Sequence, residues 1–269
     1  MRKLLILLGF VSLFIACEDV VEVDLEEAQP RLVVDAILQW EKGTTGKNQT
    51  IKLSRTRGFF EEEPRPVSGA RVVVSNNSNV EFNFEEISPG EYVTSSFEPE
   101  LNEFYSLRIE LNGDVYSAEE TLKPVVPIDL IEQIDQGGFS GEDIELKAFY
   151  TDPEGEENYY LFKFFAPFLA FPDLSVFDDE FNDGNQIFGL FSEEDLEPGM
   201  DVSIQLHGIS KEYYNFLEIL LAQAGSAGGP FETQPATVRG NIKNGKDADE
   251  LIFGYFGLSE VDKFIYTVQ

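Results

Sequence analysis

The sequence predicts a mainly β protein, built as two β-sandwich-like domains in tandem, the second carrying one amphipathic helix over about 210–224. Three observations lead there. Between residues 31 and 123, short runs rich in β-branched and aromatic residues alternate with turn chemistry. A proline-bearing stretch, LKPVVPIDLIE (122–132), then interrupts the pattern, and strand-like runs resume beyond it. After Ser210 the apolar residues change to three- and four-residue steps, the period of a helix.

The chain opens on Arg2 and Lys3, followed by Leu4 to Ala16, an apolar run broken only by Gly9 and Ser12. As a helix rising about 1.5 Å per residue it reaches roughly 20 Å, short of the ~30 Å hydrocarbon core of a bilayer. Residues 1–16 therefore read as a secretory signal rather than a permanent span. Leu13, Phe14, Ile15 and Ala16 lead into Cys17, the only cysteine. This resembles a bacterial lipobox, in which the cysteine sulfur is acylated with diacylglycerol and cleavage leaves it as the first residue. Phe14 is bulkier than the leucine usual at its place. The plainer reading is a simple signal peptide with an incidental cysteine, but an exposed unpaired thiol is a liability in an oxidising compartment. Several acyl chains, each buried CH₂ contributing about 0.8 kcal/mol, make such anchoring effectively permanent. Glu18 and Asp19 follow directly and resemble the signal that carries Bacteroidota lipoproteins to the cell surface; a solvated linker is the bland alternative. Residues 17–30 are expected to form an acidic linker.

Charge narrows the partners. The chain carries 50 acidic against 19 basic residues, and loss of residues 1–16 moves the net charge from −31 to −33, because only Arg2 and Lys3 go with them. Nucleic acid is excluded as a natural partner, since phosphate binding needs clustered Lys and Arg. Contact with an anionic lipid surface depends on the covalent anchor. The field suits solubility, attraction of cations and a basic protein partner. With 42% hydrophobic and 13% aromatic residues the chain has ample material for cores, so disorder is not expected. No disulfide can form, and burial must hold the fold.

In the first domain, residues 31–123, the expected strands are 31–39, 49–55, 70–76, 80–86, 91–96, 104–111 and 115–122. Val80, Phe82 and Phe84 alternate with Glu81, Asn83 and Glu85, the mark of a half-buried strand. SNNSN, SPGE and NGD supply the turns, the last a hairpin signal between Leu111 and Val115. Seven strands in so short a stretch suggest a sandwich of the immunoglobulin or transthyretin type. The order of these pieces resembles the prealbumin-like modules of bacterial surface proteins, which are usually structural.

The second domain, residues 124–269, restarts with DIELKAFYTD (143–152), NYYLFKFFAPFLAF (158–171) and DVSIQLHGI (201–209). SKEYYNFLEILLAQAG follows, with Ser210 as N-cap and Gly225 as C-cap. Tyr213, Phe216, Leu217, Leu220 and Leu221 form its apolar face, which should pack on a sheet. ATVRGNI and ELIFGYFGLSEVDKFIYTV are expected to supply closing strands. Segment 167–199 shows no clear strand period and reads as a long acidic loop.

LVVDAIL, PVSGARVVV, PGEY, YSLRIELNGDVYSAEETLKPV, DPEGEENYYLFKF, FDDEFNDGN, GISKEYYNFL, VRGNI and FGYFGLS occur in this order after the cysteine and its acidic stretch. Together they resemble the Bacteroidota lipoprotein family known as domain of unknown function 4249, from Cys17 to about Ser259. The resemblance implies genomic company with TonB-dependent outer-membrane transporters. It supplies no catalytic residues.

The candidate residues must then be weighed on their own chemistry. His207 is the only histidine and stands without the further His or Cys ligands of a zinc site. No nucleophile-elbow pattern surrounds any serine. His207 reads as structural or surface. Residues 150–199 hold thirteen acids against one base, Lys163, and nine phenylalanines fall between Phe162 and Phe191. DPEGEEN and FDDEFNDGN offer oxygens to a hard cation such as Ca²⁺, with Asp152, Glu154, Asp178, Asp179 and Asp183 as the candidates. They fail the EF-hand template, because from Asp179 its third and twelfth positions are Phe181 and Leu190. Solvated turns are the plainer reading, so no cofactor is expected. Phe168, Phe171, Phe177 and Phe181 are the interface candidates, since an exposed aromatic cluster rimmed by acids suits a protein or ligand contact.

The expected role is a surface-exposed outer-membrane lipoprotein, membrane-bound through its lipid anchor. It would be the accessory partner of a TonB-dependent transporter, or of another envelope protein, in substrate capture or uptake. A structural or adhesive envelope sandwich is the alternative. A hydrolase acting through paired carboxylates ranks last, because among fifty acids some close pair is inevitable. Catalytic residues are therefore not assigned, and an enzyme is not expected.

Overall fold

The computed structural model describes residues 29–58, 61, 65–138, 141–224 and 237–269. Cys17, Glu18, Asp19 and the expected C-cap Gly225 lie outside them. The chain forms β1 (Leu32–Glu41), β2 (Gln49–Arg55), β3 (Arg65–Pro66), β4 (Arg71–Asn76), β5 (Glu81–Ser88), β6 (Glu91–Thr94), β7 (Phe104–Leu111) and β8 (Asp114–Thr121). Then follow β9 (Leu130–Gly137), β10 (Asp143–Thr151), β11 (Tyr159–Phe165), β12 (Asp173–Asp178), β13 (Gln186–Ser192), β14 (Asp201–Ile209), the helix α1 (Lys211–Ala224), β15 (Lys243–Asn244) and β16 (Phe253–Thr267). Among the described residues the protein is mainly β, with β-sandwich architecture and one helix.

β5 turns the first sandwich's corner. Its early residues pair with β4, and Glu85 to Ser88 pair with β6, so one strand serves both layers. β16, β1, β2 and β6 form one layer, and β4, β7, β8 and β15 the other. Alternate positions of these strands face inward: Val34, Leu53, Val74, Phe82, Tyr105 and Ile109 are buried together between the layers. The NGD signal closes β7 on β8 through Asn112 (φ 52°) and Gly113 (φ 86°). Two consecutive positive φ values match the right-handed strand twist, which is why Asn-Gly is favoured there.

The second sandwich sets β9, β10 and β13 against β12, β11, β14 and the end of β16. Tyr160, Phe162, Phe164, Ile204 and Leu206 meet Leu146, Ala148, Tyr150 and Phe191 across the gap. A side chain at Gly189 would strike the Phe162 ring at 2.6 Å, so that strand needs glycine for the sheets to close. On the opposite face of β11, Leu161 packs with Ile209, Tyr213, Leu217 and Tyr255 beneath α1. The helix lies on the sheet as its apolar stripe demands, although Leu220, expected on that stripe, is 41% exposed. Ser210 caps it, its Oγ accepting from the Tyr213 N–H at 3.1 Å.

One strand belongs to both sandwiches. β16 runs parallel to β1 from Phe253 to Val261, and antiparallel to β14 from Val261 to Thr267. Tyr255 through Val261 are all buried. Its entry brings two backbones together: Gly254 has φ +94°, and a Cβ there would lie 1.9 Å from the Val34 carbonyl oxygen. The proline stretch runs beside this strand. Pro124 and Pro127 have no N–H to offer, and the residues that follow them give theirs to β16 carboxylates. Val125 donates to Glu260 at 2.9 Å, and Ile128 to Asp262 at 2.8 Å.

Three strands of six residues or more depart from the sequence expectation, as does the two-residue β3. β12 and β13 occupy the segment read as a loop, and β9 follows the prolines directly. β12 has Leu174 and Val176 under the helix and Phe177 against the second core, so both faces are covered and no two-residue alternation survives. β13 carries Ile187 and Phe191 inward while Phe188 and Leu190 face out. Conversely, β11 stops at Phe165, and residues 237–242 of ATVRGNI form no strand; the short β15 pairs with β8 instead.

Candidate functional site

Two connections cross between the layers at the same end of the second sandwich. The chain leaves β10 at Asp152 and reaches β11 at Tyr159; it leaves β12 at Asp178 and returns to β13 at Gln186. Antiparallel pairing of Tyr159 with Asp178 sets these crossings side by side, and the Asp152 N–H bonds the Asn185 carbonyl at 3.0 Å.

Asp152, Asp179 and Asp183 converge there, with one carboxylate oxygen from each inside a 4.8 Å group. Asp152 is 2% exposed and Asp179 5%. Each is oriented by a donor. Tyr160 Oη donates to Asp152 Oδ1 at 2.6 Å, and the Gly184 N–H reaches Oδ2 at 3.3 Å. Asn158 N–H donates to Asp179 at 2.7 Å, and Gly155 N–H to Asp183 at 2.7 Å. Burial pushes the Asp152 carboxyl above its usual range, opposed by the Tyr160 bond and reinforced by the charges of Asp179 and Asp183. At such separations and an effective dielectric of about 20, two ionised carboxylates repel by roughly 3 kcal/mol. Among the described residues, no salt bridge reaches any of the three.

The other two metal candidates stand apart. Glu154 is exposed, and Asp178 accepts from Tyr214 Oη at 3.0 Å. Next to the aspartates an open cleft of about 450 Å³ is lined by Tyr159, Tyr214, Asp178, Asp179, Glu180 and Lys211. The two tyrosine rings lie 5.1 Å apart, and Lys211 Nζ bonds Glu157 at 2.6 Å, which holds the Glu157 carboxyl below its usual range. Two aromatic faces among carboxylates can receive a cationic or hydroxyl-rich ligand. Sequence reasoning missed Tyr159, Tyr160, Tyr214 and Lys211. The adjacent tyrosines were the available signal, because neighbouring strand residues point to opposite faces.

The aromatic candidates divide. Phe171 and Phe181 are 83% and 85% exposed, whereas Phe168 and Phe177 pack against the second core, Phe177 edge-on to Phe162 at 5.9 Å. His207 is buried, with Nδ1 3.1 Å from Ser259 Oγ and Nε2 3.3 Å from Gln205. Burial, then the Lys163 charge, hold its pKa well below the ordinary value. Another buried acid, Glu120, accepts from Ser210 Oγ at 2.9 Å and Tyr255 Oη at 3.3 Å beside the helix start. Burial raises its pKa against those bonds.

Among the described residues, no helix is long and apolar enough to cross a membrane. No curated protein matches the chain. Among solved structures, a two-domain fibronectin type-III segment of chicken tenascin covers 59% of this chain and 83% of its own, at 14% identity and TM-score 0.22. A DUF4785 family protein from Legionella pneumophila covers 66% and 52%, at 9% identity and TM-score 0.26. The chicken CNTN1 FN1-FN3 domains cover 66% and 59%, at 11% identity and TM-score 0.25. At such scores the sandwich architecture rests on the strand pairing itself. The sequence from residue 18 to 265 matches one family, and the chain belongs to it: the domain of unknown function family DUF4249.

Proposed function

We propose that this chain is a surface-exposed outer-membrane lipoprotein, anchored through Cys17, that serves as the accessory partner of a TonB-dependent transporter in substrate capture or uptake. The observation that carries this reading is the exposure of Phe171 and Phe181, 83% and 85%, at the two ends of β12. Fully burying a phenylalanine side chain is favourable by about 1.5–3 kcal/mol, so two left in water favour a contact that covers them. β12 is the end strand of its sheet, and its six residues, between the two phenylalanines, span roughly 20 Å. An edge strand flanked by aromatics suits addition of a partner strand. The charge of −33 left after loss of residues 1–16 supports steering toward a basic partner surface.

The test is co-purification of the tagged lipoprotein from solubilised outer membranes. Recovery of a TonB-dependent transporter, reduced at least tenfold by Phe171→Ala with Phe181→Ala, is expected. Cys17→Ser should remove fatty-acid labelling and membrane retention. Replacing Glu18 and Asp19 by Ala should keep acylation and lower protease shaving of intact cells. A transporter absent from the eluate, or recovery that ignores both phenylalanines, would sink the reading.

A further inference from the structure

Tyr150, near the end of β10, stands two residues before Asp152. Its side chain is completely buried, its ring packs 4.7 Å from Tyr160, and Tyr160 is the residue that bonds Asp152. Yet the Tyr150 hydroxyl has no hydrogen-bond partner among the described residues. A buried hydroxyl without a partner is costly, normally about 1–3 kcal/mol. Side chains two residues apart on an extended strand share a face, so Tyr150 and Asp152, both buried, point to the same side of the sheet. Two anomalies therefore share one place: carboxylates without a counter-charge, and a donor without an acceptor.

We infer that Asp152, Asp179 and Asp183 bind one divalent cation of the calcium type, whose bound water hydrogen-bonds the Tyr150 hydroxyl. The donors are all hard oxygens, with no histidine or cysteine in the group, which suits Ca²⁺ rather than zinc. The three N–H donors, from Gly184, Asn158 and Gly155, fix the carboxylates while leaving other oxygen lone pairs for the ion. Ligands drawn from two chain crossings make an irregular, adaptable shell; Mg²⁺ demands near-ideal octahedral geometry and keeps its waters. The cation would tie the start of the β10–β11 connection to the β12–β13 connection. This site does not depend on the transporter reading, since it needs no partner.

The full mature chain, stripped with a chelator, should be titrated with CaCl₂ by calorimetry and melted with and without the ion. One equivalent is expected to bind, with Kd of about 10⁻³ M or tighter, as in other extracellular modules. Saturation should raise the melting midpoint by roughly 5 °C. Tb³⁺ should give tyrosine-sensitised emission that Ca²⁺ displaces. Asp183 is exposed, so Asp183→Asn spares the fold and should weaken binding at least tenfold, with Glu194→Gln as the distant acidic control. Three outcomes overturn the inference: no saturable binding up to about 10 mM Ca²⁺, equal responses of Asp183→Asn and Glu194→Gln, or an equal response to Mg²⁺.

Discussion

The two sandwiches treat their acids differently. In the first, the β4–β5, β5–β6 and β7–β8 hairpins return the chain to the strand beside it, and carboxylates there find donors close by. Glu86 accepts from the Gly69 and Gly90 N–H groups, and Glu110 lies against Arg71 and Arg108. In the second, the β10–β11 and β12–β13 connections cross from one layer to the other, and Asp152, Asp179 and Asp183 meet with only each other's charge for company. A hairpin satisfies its polar groups locally, whereas a crossing brings together groups from distant sequence and can leave a site. The two regions are nevertheless joined by β16, which contributes to both cores.

That junction gives the largest expected effect. Phe256 is buried in the first core on the β1-paired part of β16, and Phe→Ala in a core costs about 3–5 kcal/mol. Phe256→Ala should lower the stability of both sandwiches together. Trp40, the sole tryptophan, reports the first; far-UV circular dichroism reports the whole. Coincident transitions are expected. A fluorescence transition that separates from the dichroism curve would show that β16 does not couple the two.

Within the second sandwich, Phe162→Ala should also cost about 3–5 kcal/mol, being fully buried. Phe177→Ala, half-buried at its edge, should cost about 1–3 kcal/mol, and Phe181→Ala within about 0.5 kcal/mol of zero. Denaturant melts of the three should fall in that order. A Phe181 variant as unstable as Phe162→Ala would erase the distinction between core and presented aromatics.

The smallest effect tests the buried acid beside the helix. Burial raises the folded-state pKa of Glu120, so its favourable contribution is present below the unfolded carboxylate value and is lost as pH rises through the raised one. Glu120→Gln removes the buried charge and keeps groups that can hydrogen-bond Ser210 and Tyr255. It should raise the melting midpoint by roughly 2–4 °C at pH 8 and not at pH 4. A difference independent of pH would mean that the buried charge is not what strains the site.

Local patterns make most of the first sandwich legible. Strands 49–55 and 104–111 are legible to the residue, and Asn112-Gly113 announces its hairpin, because each strand there has one buried and one wet face. The helix and its Ser210 cap are legible for the same reason. β12 and β13 are not, since apolar residues on both faces erase alternation. Of the five candidate acids in the two stretches, only three converge, and spacing along the chain does not say which.

Composition, Cys17 with its flanks, the strand content and the ordered motifs were determined by the sequence alone. The tertiary structure decided that β16 serves both cores, that Phe177 packs while Phe181 does not, and that Asp152 meets Asp179 across two connections. The physical reason is range. Turn chemistry and side-chain alternation act over a few residues, whereas parallel pairing of β1 with β16 joins residues more than two hundred positions apart, and only the assembled layers fix which carboxylates lose their water.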